Sequence, residues 1–563
     1  MALDLTAEQK ATGQANFQRV VGKLAEDGRL NRREFMQGLI GAGTVLPLTA
    51  AAYFGYGRDA SYRTMRGNPI KAAIIGCGDE GGVLVSEHDP EYVQIVSVCD
   101  IRPTNKARIF DGEGIESRRK GLKYYYGNDA AKNITAVDDY RTILADRNIE
   151  MVIIALPLNL HHKVTMDALE AGKHVLCEKL MAWNITQCKD MIREADDKGK
   201  LLSIGHQRHY SMLYAHANEV MQSGVLGDVR HIRALWHRNN TTTRPVAGQT
   251  EPAMEHVNGR DIPIYTNDGW RKSIDPEDRL ALENSVRNYG WRNLDELIRW
   301  RLYRRTGGGL MAELGSHQLD ACSIFLGKVK PISVTAVGGK NFYNDNREIE
   351  DHVYCTFEFP GKNYDPTIPP RDGGGNCNYN DVVTVTYSSI STNGFEQYGE
   401  CVMGSRGTML VEAESSVMLF NERDPAKKGG PPRSTNVTVS AVGAGKPALE
   451  ASSTWGPAGA PAGGAASASA PGAPTGPISR GYREEMEDFA YCIRMWDQAM
   501  STDRRLPRCH GTVAMADAII ALTSNLAMKH KNRIEFQESW FSDKDEDFKS
   551  VPDAEIDPAN IKD

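Results

Sequence analysis

An alternation of short apolar strands and helical segments between residues 68 and 207 constrains the fold most. Five apolar segments predict the strands, and their sequences are PIKAAIIG, YVQIVSVCD, EMVIIALP, KHVLCEK and LLSIGHQ. Segments with helical periodicity lie between them, such as HKVTMDALEAGK and NITQCKDMIREADDKGK. Strands that are apolar on both faces and alternate with helices are typical of a parallel sheet covered on both sides. The sequence therefore predicts an α/β fold whose first domain, residues 68–205, is a doubly wound sheet.

A second pattern begins at about residue 206. Longer strands with alternating polarity, such as DVRHIRALWHRN and DHVYCTFEFP, predict an α/β domain with an open, mainly antiparallel sheet over residues 206–423. A charged segment rich in Trp and Tyr, residues 241–305, interrupts it as an ordered insertion. Residues 424–478 are low-complexity Pro, Gly, Ala and Ser, which cannot offset their ordering entropy, so a mobile loop is expected. Helical patterns return in residues 479–563 and are expected to complete the second domain before a tail.

Composition excludes several classes of function. The chain has 563 residues and a formal net charge of -7, so it lacks the basic surface that binds nucleic acid. Its 10 cysteines are scattered without a C-x-x-C pair, so neither a zinc site nor a dense disulfide framework is predicted, and no metal ligands are assigned. A small molecule is the expected partner.

The N-terminal extension, residues 1–67, carries a separate signal. Arg32 and Arg33 precede a mild apolar run from about residue 39 to 56, and Phe35 follows the arginines by two positions. This arrangement resembles a twin-arginine export signal, which carries folded proteins. It predicts a periplasmic protein that is exported with its cofactor loaded.

The same run is a poor membrane-spanning helix because it contains glycines and Pro47, so no stable membrane span is expected. Three alanines at positions 50–52 are a candidate cleavage site. The alternative is a helical arm that stays attached, on a cytoplasmic protein. Residues 5–26, which precede the arginines, look amphipathic.

A G-x-G-x-x-G motif follows the first strand and consists of Gly76, Gly78 and Gly81. Such glycines let the backbone approach a pyrophosphate, and the N-terminus of the next helix supplies oriented N–H groups. Asp100 ends the second strand, where a carboxylate can bind both hydroxyls of an adenosine ribose and repel a 2′-phosphate. The first domain is therefore predicted to be a Rossmann domain that binds NAD rather than NADP, although Arg102 lies nearby.

Polar residues also follow the third and fourth strands. Pro157 ends the third strand, His161 comes four residues later, and Glu178 and Lys179 end the fourth. Ligands bind beyond the carboxyl ends of strands in open parallel sheets, so these residues should line the nicotinamide half of the cofactor. A lysine placed there could lower the pKa of a substrate hydroxyl. The alternative for Lys179 is a solvated lysine after a strand.

The segment GGGLMAELGSHQLD, residues 307–320, leads from three glycines into a predicted helix. Glu313 and His317 are four residues apart, a spacing that places two side chains on one helix face. The simplest reading is a surface carboxylate–imidazole pair at a helix N-terminus. Together with the other motifs, the pair becomes a candidate for acid–base chemistry.

In this order, the glycine motif, Asp100, LPLNLH, AGKHVLCEK and GGGLMAELGSH closely resemble the Gfo/Idh/MocA oxidoreductase family, typified by glucose–fructose oxidoreductase and inositol dehydrogenase. The resemblance covers roughly residues 69–420 and 480–535. It implies a Rossmann domain joined to an α/β domain with an open antiparallel sheet. It also implies a nicotinamide cofactor, a sugar, cyclitol or related polyol as substrate, and a homodimer or homotetramer.

The resemblance also assigns roles. The family's E-K-P lysine falls on Lys179, its proline is replaced by Leu180, and its catalytic histidine falls on His317. His317 would be the general base and Lys179 would fix the substrate oxygen. Glu313 stands where the family has Asp and would orient the imidazole. Tyr210 matches a polar and aromatic segment of the family, and both a substrate contact and a core position stay open for it.

These motifs favour an NAD-dependent oxidoreductase acting on a carbohydrate-like secondary alcohol or ketone, with a cofactor that an exported protein would hold tightly. One alternative is a redox-neutral glycoside hydrolase that oxidises a ring carbon, eliminates the aglycone, adds water and returns the hydride. Another is a non-catalytic sugar sensor, which would be expected to lack Lys179 or His317. In the insertion, Trp270, Trp291 and Trp300 could stack on sugar faces or form core or subunit contacts.

Overall fold

The structure is a computed structural model. It describes residues 5–26, 68–113, 119–246, 251–257, 259–367, 380–421, 480–498 and 505–544. The predicted export signal at Arg32 and Arg33 and the predicted loop at 424–478 lie outside the described residues.

A helix, α1 (Ala7–Glu26), precedes the first domain and packs on the last strand of the second sheet. Gly13 allows this close approach, because a Cβ at that position would lie 2.5 Å from the Phe420 ring. Phe17 and Val21 of the same helix are buried in the main hydrophobic core. The amphipathic N-terminal segment is therefore part of the folded molecule.

The first domain is built around a six-stranded parallel sheet. Its elements in chain order are β1 (Ile70–Ile75), α2 (Asp79–Glu87), β2 (Val93–Cys99), α3 (Pro103–Asp111), α4 (Leu122–Ala131), β3 (Thr135–Val137), α5 (Tyr140–Ala145), β4 (Met151–Ile154), α6 (His161–Glu170), β5 (His174–Glu178), α7 (Ile185–Asp197) and β6 (Leu202–Gly205). The strand order is β3-β2-β1-β4-β5-β6. Strands β2 and β3 are added on one side of β1 and strands β4 to β6 on the other, so the topological switch point lies between β1 and β4. Ligands bind in the crevice at such a switch point. The predicted Rossmann sheet is confirmed.

The second domain carries an eight-stranded sheet and the insertion. Its elements up to the end of that sheet's main part are α8 (Met212–Gln222), β7 (Val229–His237), β8 (Met254–Val257), β9 (Arg260–Pro263), α9 (Pro276–Leu282), α10 (Leu294–Ile298), a π-helical turn (Met311–Gly315), α11 (Ser316–Phe325), β10 (Ser333–Gly339), β11 (His352–Pro360), β12 (Val382–Ile390), β13 (Tyr398–Gly404), β14 (Gly407–Glu412) and β15 (Ser416–Asn421). The remaining elements are α12 (Tyr482–Gln498), α13 (Gly511–His530) and β16 (Ile534–Glu535).

This sheet has the order β15-β14-β13-β7-β12-β11-β10-β16. Its neighbouring strands are antiparallel except β7 and β12, which are parallel. Strands β11 and β12 alternate between buried and more exposed residues, so one face of the sheet packs on the helices. The predicted open, mainly antiparallel sheet is confirmed.

The insertion is ordered, as predicted, over its described residues. It contains the β8–β9 hairpin, α9 and α10. A small hydrophobic core holds it together, formed by Leu282, Val286, Trp291, Leu294, Leu297 and Ile298. The insertion packs over the crevice at the carboxyl ends of the first sheet's strands.

The two C-terminal helices pack in different places, whereas both were expected to complete the second domain. The apolar stripe of α12, including Met486, Phe489 and Ile493, packs into the core of the first domain with β1 and β2. In contrast, α13 packs against β10, α11 and α7. By length and composition α13 could span a membrane, but 78% of its most apolar window is buried inside the protein.

Candidate active site

A cavity of about 1620 Å³ lies where the first sheet, the insertion and the π-helical turn meet. Gly76, Gly78 and Asp100 line one end of it, and Lys179 and Glu313 line the other. The carboxyl ends of β1, β2, β4 and β5 all reach this cavity. It therefore occupies the crevice in which a Rossmann sheet binds its ligand.

The glycine motif forms a tight turn at the start of α2. Gly76 has a φ of +101° and passes so close to β4 that a Cβ would lie 2.3 Å from the Ala155 oxygen. A Cβ on Gly81 would lie 2.1 Å from the Gly76 oxygen. Around Gly78, by contrast, no described atom outside the adjoining backbone comes within 4 Å of the Cβ position. The turn thus leaves an open cradle at a helix N-terminus, which fits the pyrophosphate of a dinucleotide.

Asp100 lies at the end of β2 and lines the cavity, as predicted. Its carboxylate accepts hydrogen bonds from the backbone N–H of Cys77 at 2.9 Å and of Arg102 at 2.8 Å, and from Asn105 Nδ2 at 3.0 Å. These bonds connect the acid to the glycine turn and fix it in place. The position is the one from which a Rossmann domain reads the adenosine ribose.

Hydrogen-bond donors of Arg102 and Thr104, at the N-terminus of α3, bind an acid from the insertion. Asp278 is fully buried in α9 and accepts from Arg102 Nε at 2.8 Å and from Thr104 Oγ1 at 2.7 Å. It also accepts from the Thr104 backbone N–H at 3.2 Å. A guanidinium, a hydroxyl and a helix N-terminal N–H are the donors that bind phosphate. Here they bind a carboxylate of the chain itself.

Lys179 lies on the cavity wall just after β5. Its Nζ donates to the backbone oxygen of Glu313 at 3.0 Å, which ties the ammonium to the turn that leads into α11. The peptide bond from Lys179 to Leu180 is cis. Beside it, burial and the Glu80 carboxylate raise the pKa of Glu178 well above its usual range.

Glu313 lies on the cavity wall, but its carboxylate points to a different partner than predicted. It accepts from Arg301 Nε at 2.6 Å. Burial opposes its ionisation, yet the charges of Arg301 and Lys179 hold the pKa of Glu313 below its ordinary value. The prediction that Glu313 orients His317 is wrong, because a π-helical turn replaces the regular helix between them and Arg301 binds the acid.

His317 is the second residue of α11. It is 4% exposed and lies behind the cavity wall. Its ring centre lies 5.6 Å from that of Trp236. Burial and the nearby charge of Lys179 hold the pKa of His317 well below 6.5. The imidazole is therefore neutral at neutral pH, and the structure brings it near Lys179 but not to Glu313.

Three further predicted residues are placed as follows, and two of them, His161 and Pro157, line the cavity as predicted. His161 is 1% exposed, and its ring nitrogens lie 2.7 Å from the Leu180 oxygen and 2.9 Å from the Leu156 oxygen, so it links two loops of the cavity wall. Pro157 lines the cavity between β4 and this histidine. Tyr210 is fully buried and its hydroxyl accepts from the Cys509 N–H at 3.1 Å. A substrate contact for Tyr210 is thus wrong, and the core position is correct.

The three insertion tryptophans differ in their surroundings. Trp291 is 3% exposed and belongs to the core of the insertion, although it also borders the cavity. Trp270 and Trp300 line the cavity and pack under guanidinium groups, with Arg238 5.2 Å above the Trp270 ring and Arg301 4.2 Å above the Trp300 ring. Both rings thus hold arginines at the cavity wall.

Sequence reasoning missed Arg208, a buried arginine next to α11. Its Nη1 donates to the His317 backbone oxygen at 2.6 Å and to Glu400 Oε1 at 2.9 Å, and its Nη2 donates to Glu414 at 2.7 Å. Burial opposes its charge, but Tyr214 and the two acids raise the pKa of Arg208 well above its usual value. Arg208 therefore fixes the backbone that carries His317.

Comparison with known proteins agrees with this geometry. A family model described as the oxidoreductase family with an NAD-binding Rossmann fold matches residues 70–206, and a GFO/IDH/MocA C-terminal domain model matches residues 284–364. An uncharacterized oxidoreductase of Schizosaccharomyces pombe is 29% identical over 342 residues, which are 61% of this chain and 70% of that protein. Inositol 2-dehydrogenase/D-chiro-inositol 3-dehydrogenase of Lactiplantibacillus plantarum is 30% identical over 29% of this chain, a match that spans 43% of the relative.

A solved structure of an inositol dehydrogenase homolog from Azotobacter vinelandii, complexed with NADH and myo-inositol, superposes with a TM-score of 0.51. It is 15% identical, and the match covers 83% of this chain and 98% of that one, so the two share a fold. The fold, the glycine turn and the two family models lead to one conclusion. The chain belongs to the Gfo/Idh/MocA oxidoreductase family.

Proposed function

We propose that the protein is an NAD-dependent oxidoreductase that transfers hydride to or from a secondary alcohol or ketone of a sugar, cyclitol or glycoside. The observation that carries this proposal is the Lys179 ammonium on the cavity wall, tied to the turn that leads into the His317 helix and across from an open glycine cradle. Relatives named inositol dehydrogenases support the substrate class.

Lys179 and His317 have different roles in removing the hydroxyl proton of the substrate. A nicotinamide bound in the cavity would supply the acceptor for the hydride of the carbinol carbon. One donor of Lys179 Nζ is held by the Glu313 oxygen, so two donors remain for the substrate oxygen. Their positive charge lowers the pKa of the substrate hydroxyl. His317 is neutral and accepts the proton as general base. Arg301 keeps the Glu313 carboxylate away from this exchange.

The function is tested on the purified protein with any bound nucleotide kept in place. The nucleotide is first released from a sample with acid and identified, and NAD is expected. Intact protein is then offered free sugars, cyclitols and aryl glycosides separately. Net NADH formation from a free sugar or cyclitol is the expected result. Aglycone release without net NADH would indicate redox-neutral hydrolysis, and saccharide binding without turnover would indicate a sensor.

We propose that the protein prefers NAD over NADP, and that Asp278 as well as Asp100 is responsible. Arg102 and Thr104 are placed where a 2′-phosphate would be read, after β2 and at the N-terminus of α3. Asp278 already accepts from Arg102 Nε and from the hydroxyl and backbone N–H of Thr104 with its own carboxylate. A 2′-phosphate entering there would meet both Asp100 and Asp278. We therefore infer that the insertion supplies an internal anion that excludes NADP.

Replacing Asp278 with alanine is expected to raise the affinity for 2′,5′-ADP relative to ADP by about tenfold to a hundredfold, because a charged hydrogen-bond set is released to a new anion. Isothermal titration with both nucleotides measures the ratio. Glu277→Gln, an exposed change on the same helix, is the matched control and should leave the ratio unaltered. Unchanged discrimination in a folded Asp278→Ala variant that still binds ADP would contradict the inference.

A further inference from the structure

Arg238 is a cation on the cavity wall whose buried Nε and Nη2 have no hydrogen-bond partner among the described residues. It follows the last residue of β7, and its backbone N–H continues the ladder by donating to the Ile390 oxygen at 2.9 Å. Its Nε and Nη2 atoms are buried, and neither finds a hydrogen-bond partner in the part of the chain that the structure describes. The guanidinium packs over Trp270 and borders the cavity. It is therefore held in place by packing, without an anion.

Four other cations of the cavity wall are paired with acids. These pairs are Arg301 with Glu313, Lys272 with Asp79, Arg271 with Glu255, and Arg299 with Asp295. Asp268 and Glu313 are the acids whose charge acts on Arg238, but Asp268 accepts from Arg347 at 2.6 Å and Glu313 accepts from Arg301. A buried charge without a partner is costly, and a guanidinium cannot escape that cost by losing its proton. The pattern is that of a site completed by an anionic ligand.

Arg238 lines the same cavity as Lys179. The Glu313 carboxylate lies near enough to both cations for its charge to act on each of them. Trp236, two residues before Arg238 on the same side of the strand, packs beside the His317 ring with the ring centres 5.6 Å apart. A substrate whose hydroxyl meets Lys179 can therefore place a second group against Arg238.

We propose that the substrate is a sugar acid, a hexuronate or an aldonate, whose carboxylate is bound by Arg238. This inference rests on the proposed oxidoreductase function. A guanidinium presents parallel N–H donors that match a carboxylate, whereas a neutral sugar would leave the charge unpaired. The carboxylate itself does not react. The carbinol C–H leaves as hydride to the nicotinamide, the O–H proton goes to His317, and the carbinol becomes a ketone.

The test compares matched pairs of acid and neutral sugar on the intact protein with bound NAD: glucuronate with glucose, galacturonate with galactose, and gluconate with glucitol. The wild-type protein is expected to favour at least one acid over its neutral partner by more than tenfold in kcat/KM. Arg238→Met is expected to lower that ratio by about tenfold to a hundredfold, mainly through KM, the effect of losing a charged hydrogen bond. Arg244→Met, an exposed arginine at the same cavity, is the matched control.

Stability and binding separate the possible outcomes. Because Arg238 is unpaired, Arg238→Met is expected to keep or raise the Tm of the protein without sugar, and Arg238→Lys provides a second variant that keeps the charge but loses the planar fork. Binding is followed by quenching of tryptophan fluorescence, since Trp270 packs under Arg238. Equal wild-type use of acids and neutral sugars, or an unchanged ratio in Arg238→Met, would overturn the proposal, as would failure of every acid to bind. Acid binding that depends on Arg238 without NADH formation would support it while removing the oxidoreductase function.

Discussion

Replacing Lys179 with methionine is expected to lower the rate of hydride transfer by roughly 10²–10⁴-fold while bound NAD is retained. Methionine keeps the length and packing of the side chain but removes the ammonium, which lies on the cavity wall after β5 and which we propose binds the substrate oxygen. The glycine cradle and Asp100 are untouched, so the nucleotide content should not change. The measurement is the single-turnover rate of NADH formation, with nucleotide content determined in parallel.

Two further variants sharpen this test. Lys179→Arg keeps the charge but alters its geometry, and it is expected to recover only part of the rate. Lys132→Met removes an exposed lysine that pairs with Asp129 on the surface, and it should behave as the wild type. If Lys179→Met kept more than about a tenth of the rate, the loss would be smaller than the weakest general acid–base contribution. The ammonium would then not be the group that acts on the substrate hydroxyl.

Replacing Arg208 with methionine is expected to lower the free energy of unfolding by about 3–5 kcal/mol, the usual effect of removing one partner from a buried ion pair. Glu400 is fully buried and Glu414 is nearly so, and both lose their cation. Urea unfolding at pH 8 measures the change. Arg533→Met, whose pairs with Glu358 and Glu535 are exposed, is the control and should change stability by less than about 1 kcal/mol.

The pH dependence of this loss is a second readout. Burial already raises the pKa of Glu400 to about 7, against an ordinary value of 4.5, so the folded state binds the proton more tightly than the unfolded state. Between those values, stability therefore falls as pH rises. Without Arg208 the pKa of Glu400 rises further, and the acid is neutral at pH 5. The loss caused by Arg208→Met should thus be smaller at pH 5 than at pH 8. An equal loss at both values would show that lost packing, not the uncompensated charge, causes it.

Local sequence patterns were sufficient to predict the fold of the first domain. Its strands are buried on both faces, so they appear as continuous apolar runs, and the glycine turn and Asp100 follow directly from the ends of β1 and β2. The lysine after β5 was predicted on the cavity wall for the same reason. These features depend on residues close in sequence to the elements that position them.

Features that depend on distant partners could not be read from the sequence. The four-residue spacing of Glu313 and His317 predicted contact, but a π-helical turn and Arg301 of the insertion changed the outcome. The apolar stripe of α12 predicted a helix without indicating which sheet it covers. Arg208 and Asp278 act through partners far along the chain, at separations of 206 residues for Glu414 and 176 for Arg102.

The docking of α1 bears on how an exported form of this chain would mature. The twin-arginine route moves proteins that have already folded, and α1 precedes Arg32 and Arg33 in the chain. Phe17 and Val21 would then be seated in the core before any peptidase met the alanines at 50–52. Cleavage at that point would not discard the leading helix. It would divide the polypeptide into two fragments, and α1 would remain packed on the larger fragment without a covalent link to it.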